Sequence, residues 1–398
     1  ELSIPAGAVS NGVNTLAVKG VLQAGRTYSY FVVDWIEAGF ARELTPLAGT
    51  AHFRAGGEGS VSAAAFAEPL VVAVDDVERP VWIADETGAL PDKAWAAATS
   101  DERFAVIEAG AVPMLVPESV DDNPWFLAET NRIDYLVVVS RALTNAVQEL
   151  ADYRAGQGLR VGVAVFEDLC DWMSGGLRTP EAIPELLSYA SSWTEAPWMV
   201  VLAGNGNYDY LGALSNEVNH LPPMMLQTGD GIFAADGLLA DAGGDPLPDV
   251  ALGRLPALTE ADLTAMIAKI KAYELGFGQS WQNELVLASD ANDAAGDFAA
   301  ANNQLAALTT AKHPLKDTID LNATALTPAR NKLMSYFNSG AGFIHYTGHG
   351  GVANWSAKGL LKGTDIASMN NPTRPPAVVA LSCLVGRYEA PGVNSLGE

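Results

Sequence analysis

The sequence predicts an α/β protein: two consecutive three-layer subdomains with mainly parallel sheets, preceded by a partial all-β module of jelly-roll or sandwich type. Three observations predict it. Near the start, apolar and polar residues alternate between glycine turns, which is the period of half-buried strands. From residue 132 onward, continuous apolar runs replace that alternation, as expected of strands covered on both faces. Helix-length segments separate these runs, which is the spacing of parallel β–α–β units.

Composition sets the outer bounds. A chain of 398 residues, 49% of them hydrophobic, can fill the cores of two or three domains. Its 47 acidic and 23 basic side chains leave a formal charge of −24, which repels phosphate backbones. Nucleic acid is therefore not an expected partner. No run of about eighteen apolar residues occurs, so no membrane span is expected. Cys170 and Cys383 are the only cysteines. They allow at most one disulfide and no cysteine-clustered zinc. No signal peptide opens the chain, and Glu1 reads as the start of a mature or trimmed piece.

Residues 1–80 are read as the C-terminal part of the β module. The alternating stretches are Asn14–Leu22 and Thr27–Leu44, with turns at Asn11–Gly12 and Ala24–Gly25. Residues 81–131, broken by Pro80, Pro91, Pro113, Pro117 and Pro124, are read as a connector. The first α/β subdomain spans 132–280. Its strands are expected at Ile133–Ser140, Leu159–Phe166, Trp198–Gly204 and Pro248–Pro256. Helices are expected over Ala142–Arg154, after Thr179–Pro180–Glu181, and from a cap at Thr259 to about Tyr273. The second subdomain, 281–398, begins with a strand at Asn283–Asp290 and an alanine-rich helix. Strands at Ala341–Gly350 and Pro376–Cys383 follow.

Chemistry concentrates at the carboxyl ends of strands, where open α/β sheets place their sites. Asp290, His349 and Cys383 each follow an apolar strand of the second subdomain directly. His349 sits in Tyr346–Thr347–Gly348–His349–Gly350–Gly351, where glycines permit a sharp turn and leave room for a substrate. The stretch between His349 and Cys383 is long enough to hold one crossover helix, so their strands can be neighbours. A thiolate nucleophile beside an imidazole, with backbone N–H groups for an oxyanion, is the chemistry this pattern offers. Taken alone, a cysteine ending a buried strand is more often a small core residue. Cys170, within "EDLCDWM", carries only that reading. Asp230, Asp236, Asp241, Asp245 and Asp249 crowd a glycine-rich segment without the spacing of a calcium-binding helix–loop–helix. A solvated acidic loop is the simpler reading.

"YTGHGG" followed by "VVALSCLVGRYEAPGVNSLGE" resembles the catalytic end of the gingipain family of cysteine peptidases, peptidase family C25. "GNGNYDY", "TGDGIF", "DPLPDVALGRLPALTEADL", "KIKAYE" and "WQNELVLASD" extend the resemblance upstream, and "VVDWIEAGFARELT" resembles modules that precede such domains. The resemblance implies a caspase-like fold, Cys383 as nucleophile, His349 as general acid/base, and Gly350 and Cys383 as oxyanion N–H donors. It also implies an acidic residue behind the histidine. Asp290 occupies that place, with Asp293 as the alternative three residues on. No carboxylate for an S1 pocket can be placed, Asp297 being the only acid in the helix after Asp290. The family's domain continues past its cysteine block, so a further C-terminal segment, or further domains of a larger precursor, is expected.

The expected function is a secreted or bacterial cell-surface cysteine endopeptidase acting on protein or peptide substrates through a Cys–His dyad and a thioester. No cofactor is required, and structural calcium is allowed on family grounds alone. Two alternatives fit the same residues. One is a transpeptidase of the same fold in bacterial surface secretion; the other is an inactive surface or adhesion protein that keeps the fold.

Overall fold

The computed structural model describes residues 8, 14–21, 43–56, 58–76, 79–84, 91–97, 102–112, 120, 123–229, 231–245 and 247–398. Two compact units divide the chain, Glu1–Glu118 and Ser119–Glu398.

Among its described residues the first unit is built on β-strands, with two short 3-10 turns. Strands β1 (Thr50–Arg54), β3 (Pro69–Ala73), β4 (Val81–Ile83) and β6 (Arg103–Glu108) form an antiparallel sheet in the order β1-β6-β3-β4. β2 (Gly59–Ser62) pairs with β5 (Ala94–Ala97) beside it. Phe66, Val71, Trp95, Phe104 and Val106 fill the core, with the Trp95 and Phe104 rings edge to face at 5.3 Å. Two expectations are corrected. Residues 14–21 carry no strand, and of the stretch read as Thr27–Leu44, residues 27–42 lie outside the described residues. Within 81–131, read as a connector, β4, β5 and β6 complete the β unit. Pro80 and Pro91 fall between these strands, where a missing N–H is harmless.

The second unit begins with a parallel sheet in the order β12-β9-β7-β8, from β7 (Tyr135–Val139), β8 (Val161–Val165), β9 (Met199–Ala203) and β12 (Ala251–Leu255). Every residue of β7 is buried, which explains its uninterrupted apolar run. Alternation along the strand divides it between two cores. Leu136 and Val138 pack with Phe166, Leu169, Ile183 and Leu186 from α2 (Phe166–Met173) and α3 (Ala182–Ala190). Tyr135, Val137 and Val139 pack with Val147, Leu150, Leu263 and Ile267 from α1 (Thr144–Gly156) and α4 (Glu260–Leu275). Thr259 caps α4 as expected, in a reciprocal box with Asp262. A hairpin of β10 (Met225–Thr228) and β11 (Gly231–Ala234) lies between β9 and β12 in sequence.

The second sheet is also parallel, in the order β14-β13-β15-β19. It comprises β13 (Leu285–Ser289), β14 (Leu315–Asp320), β15 (Phe343–Thr347) and β19 (Ala377–Leu381). α6 (Leu326–Ser339) packs Ala329, Leu333 and Phe337 on one face, against Val286, Ala288, Ile344 and Tyr346. α5 (Phe298–Ala307) runs next to β13 and β15. A small antiparallel sheet of β16 (Gly350–Gly351), β17 (Asn354–Trp355) and β18 (Leu361–Lys362) follows β15. β19 is an edge strand, with Val379 and Leu381 exposed along it. Sequence reading did not anticipate β14 and α6. β14 reads "LKDTID", an edge strand with three charged or acidic positions, and α6 carries Pro328 and two asparagines on its outer face.

Candidate active site

The turn after β15 carries His349. Gly348 sits at φ +156°, and a Cβ there would lie 2.4 Å from the Asp290 Cβ. Only glycine lets the chain cross the end of β13 so closely. His349 Nε2 lies 2.8 Å from Asp293 Oδ2, and the Phe298 ring meets the imidazole edge-on at 5.3 Å. Carboxylate and aromatic ring together fix the imidazole orientation. The Asp293 carboxyl lies below its ordinary pKa, first because the Ala295 N–H donates to it and then because of the His349 ring. It thus stays an acceptor well into the acid range.

Asp290 is placed differently from the sequence expectation. It is buried, at 4% exposure, and its Oδ1 accepts from the Ser356 hydroxyl at 2.8 Å and the Ala291 N–H at 2.8 Å. The residue on the ring is the alternative, Asp293. The reason lies in the direction of the chain: Asp290 N–H donates to Thr347 O, so Asp290 still belongs to the sheet end and points into the core. The next residues turn outward, and their loop reaches the imidazole.

Cys383 follows β19, is exposed and carries a free thiol. Leu384 directly after it adopts φ +59°, a left-handed conformation that turns the chain sharply away from the strand. The histidine and cysteine turns are in contact. A Cβ on Gly350 would fall 2.2 Å from Ser382 Oγ and 2.5 Å from the Cys383 carbonyl oxygen. Gly348 N–H also donates to Leu381 O at 3.3 Å. His349, Gly350 and Cys383 are therefore brought to one end of the sheet, with β16–β18 and a 3-10 turn at Gly363–Ser368 connecting β15 to β19 in place of the crossover helix that the spacing suggested.

The segment after Cys383 is anchored on the first parallel sheet. Arg254 of β12 pairs with Asp236 through two hydrogen bonds of 2.7 and 2.9 Å. It also donates to the Gly204 and Leu221 carbonyls. Its guanidinium lies 4.8 Å from the Tyr388 ring centre, and the Tyr388 hydroxyl donates to Asp236 at 2.7 Å. Nearby, the Tyr208 N–H donates to Glu389 O and the Gly392 N–H to Glu217. Asp209 fixes the loop carrying Tyr208. Burial opposes its charge, but three backbone N–H groups outweigh that and hold its carboxyl below the ordinary value. "GRLP" was legible as the end of a strand and "GNGNYDY" as part of a resemblance; nothing in their spacing indicated this anchoring.

The other singled-out residues fall elsewhere. Cys170 is buried in the α2–α3 core, and burial pushes its thiol pKa up. Neither cysteine forms a disulfide. His220 and His345 are buried against Leu258 O and the Thr347 hydroxyl. Asp297 caps α5, accepting from the Ala300 N–H. Asp241 and Asp249 accept backbone N–H bonds inside their own loop, and Asp236 is paired with Arg254. Asp230 lies outside the described residues. Among the described residues no three His, Cys, Asp or Glu side chains converge as a metal shell.

Comparison with known proteins adds a family and a fold. A model of the family described as Peptidase family C25 matches residues 128–398. No curated protein matches the chain significantly. A solved structure described as "Structure of Protease" superposes with a TM-score of 0.52 at 16% identity, over 66% of this chain and 55% of that one. The complex of Porphyromonas gingivalis RgpB pro- and mature domains gives 0.50 at 17% identity, over 66% and 59%. The chain thus spans between 55% and 59% of the length of these two structures. At such identities the likeness is one of fold.

Proposed function

We propose, from the premise that this chain belongs to peptidase family C25, that it is a secreted or surface cysteine endopeptidase. Cys383 is the nucleophile and His349 the general acid/base. His349 takes the thiol proton, and the thiolate attacks the scissile carbonyl. The oxyanion forms against the backbone N–H groups of Gly350 and Cys383. His349 then protonates the leaving amine, which departs and leaves a thioester. Water adds to that thioester with His349 as base, and the Cys383 thiol leaves as the acid product is released. Asp293 holds the ring and stabilises its protonated form.

The observation that carries this reading is the seating of Gly350 on the Ser382–Cys383 backbone. It brings the histidine turn and the thiol turn together, as acyl transfer requires. The exposed Cys383 and the buried Cys170 supply the test. Iodoacetamide should label Cys383 alone, and more slowly in His349→Ala. Cys383→Ala should lower peptide cleavage by about four orders of magnitude or more. Equal, slow labelling of both cysteines, or cleavage that survives Cys383→Ala, would overturn the reading.

A further inference from the structure

Three buried side chains that do not touch the imidazole converge under the His349 turn. Tyr346 and Ser356 are fully buried and Asp290 nearly so. The Tyr346 hydroxyl donates to the His349 carbonyl at 2.8 Å, and the Ser356 N–H donates to the same oxygen at 2.7 Å. The Ser356 hydroxyl donates to Asp290 Oδ1 at 2.8 Å, and Asp290 Oδ2 lies 3.4 Å from the Tyr346 hydroxyl. Trp355 stacks on the Tyr346 ring at 4.6 Å, fixing where its hydroxyl points. Burial raises the Tyr346 pKa strongly, so the hydroxyl remains a donor.

Both lone pairs of the His349 carbonyl are thus occupied. That carbonyl shares one planar peptide unit with the Gly350 N–H, which must point the opposite way. Strand pairing agrees. Gly350 stands opposite Trp355, between the bonded row at His349–Ser356 and the pair Gly351–Asn354. In an antiparallel ladder such a residue turns its own N–H away from the partner strand. Gly350 therefore directs its N–H to the side away from β17, next to the cysteine turn.

We propose that Asp290, Ser356 and Tyr346 form a buried clamp on the His349–Gly350 peptide that aims the Gly350 N–H as an oxyanion donor. They are positioning residues, with Asp290 holding Ser356 and, through it, the end of β17. Hydrogen bonding to the carbonyl also polarises the peptide and makes its N–H a stronger donor. The clamp rests on the peptidase reading above.

The test separates the clamp from the dyad. Tyr346→Phe removes one hydroxyl and keeps the ring on Trp355; Ser356→Ala is the second variant. Peptide turnover and inhibition by a peptide aldehyde, whose adduct carries the oxyanion, both need the donor. Iodoacetamide alkylation of Cys383 needs only the thiol and His349. The expected result is a kcat loss of roughly tenfold to a hundredfold, below that for deleting a donor outright. Aldehyde affinity should weaken in parallel, with KM and alkylation rate unchanged. Wild-type kcat in Tyr346→Phe, or alkylation falling as far as kcat, would overturn the clamp. If the wild type cleaves no peptide, the peptidase reading fails while the clamp is still tested by amide exchange. Exchange over residues 349–356 should then be faster in Tyr346→Phe, and unchanged exchange overturns the clamp.

Discussion

Two carboxylates three positions apart have separate surroundings, and the difference is one of burial and direction. Asp293 is exposed and lies on the His349 ring, whereas Asp290 is buried and lies on Ser356. Sequence spacing allowed either on the ring, because both follow β13 and nothing local says where the loop turns outward. Asp293→Ala should lower kcat/KM by about one to two orders of magnitude, against four or more for Cys383→Ala. Steady-state kinetics on one peptide substrate checks both numbers. Strand ends and glycines singled out Cys383 and His349 as candidates, and only the family resemblance gave them roles. Ser356 and Phe298 were not, because a lone serine after a tryptophan and a phenylalanine opening a helix are ordinary residues until the fold brings them to the site.

At the scale of elements, the parallel strands were readable because a strand covered on both faces must be apolar throughout. β7 shows this, with all five residues buried. The edge strand β14 escaped because its exposed side needs no apolar residues. The glycine between the two turns gives an element-level prediction. In Gly350→Ala the new methyl would meet the Cys383 carbonyl and the Ser382 hydroxyl, both under 3 Å, so the turns must part. Turnover should fall at least a hundredfold, on the order of the loss expected when reacting groups shift by about 1 Å, while far-ultraviolet circular dichroism stays unchanged. A second prediction concerns the entry to β7. Asp134 receives the Arg160 side chain at 2.8 and 2.5 Å and the Arg160 N–H at 2.9 Å. These hold its pKa well below the ordinary 3.8, the side-chain bonds contributing most. A depressed acid stabilises the fold fully above its unfolded value of 3.8, and that contribution is lost as pH falls below it. Urea midpoints measured from about pH 5 to pH 2 should therefore drop less steeply in Asp134→Asn than in the wild type.

At the scale of the whole second unit, one buried cation ties the segment after Cys383 to the first parallel sheet. Arg254 has Asp236, Tyr388 and two carbonyls around it and is almost wholly buried. Arg254→Met leaves the Asp236 carboxylate without its cation and should destabilise the unit by about 3–5 kcal/mol. The double variant Arg254→Met/Asp236→Leu should recover much of that stability in denaturant unfolding. It should not recover turnover, because Tyr388 would have lost both its anchors. Equal recovery of both would show that the anchoring is structural only. By itself the sequence indicated most of the parallel strands, the apolar faces they require, and which residues stand at their carboxyl ends. Those follow from period and burial, which are local properties of a chain. Only the tertiary structure decided which carboxylate meets His349, what holds the Gly350 peptide, and what secures the chain beyond Cys383. Each of these depends on contacts between residues far apart in sequence, and no local pattern encodes the direction of a loop.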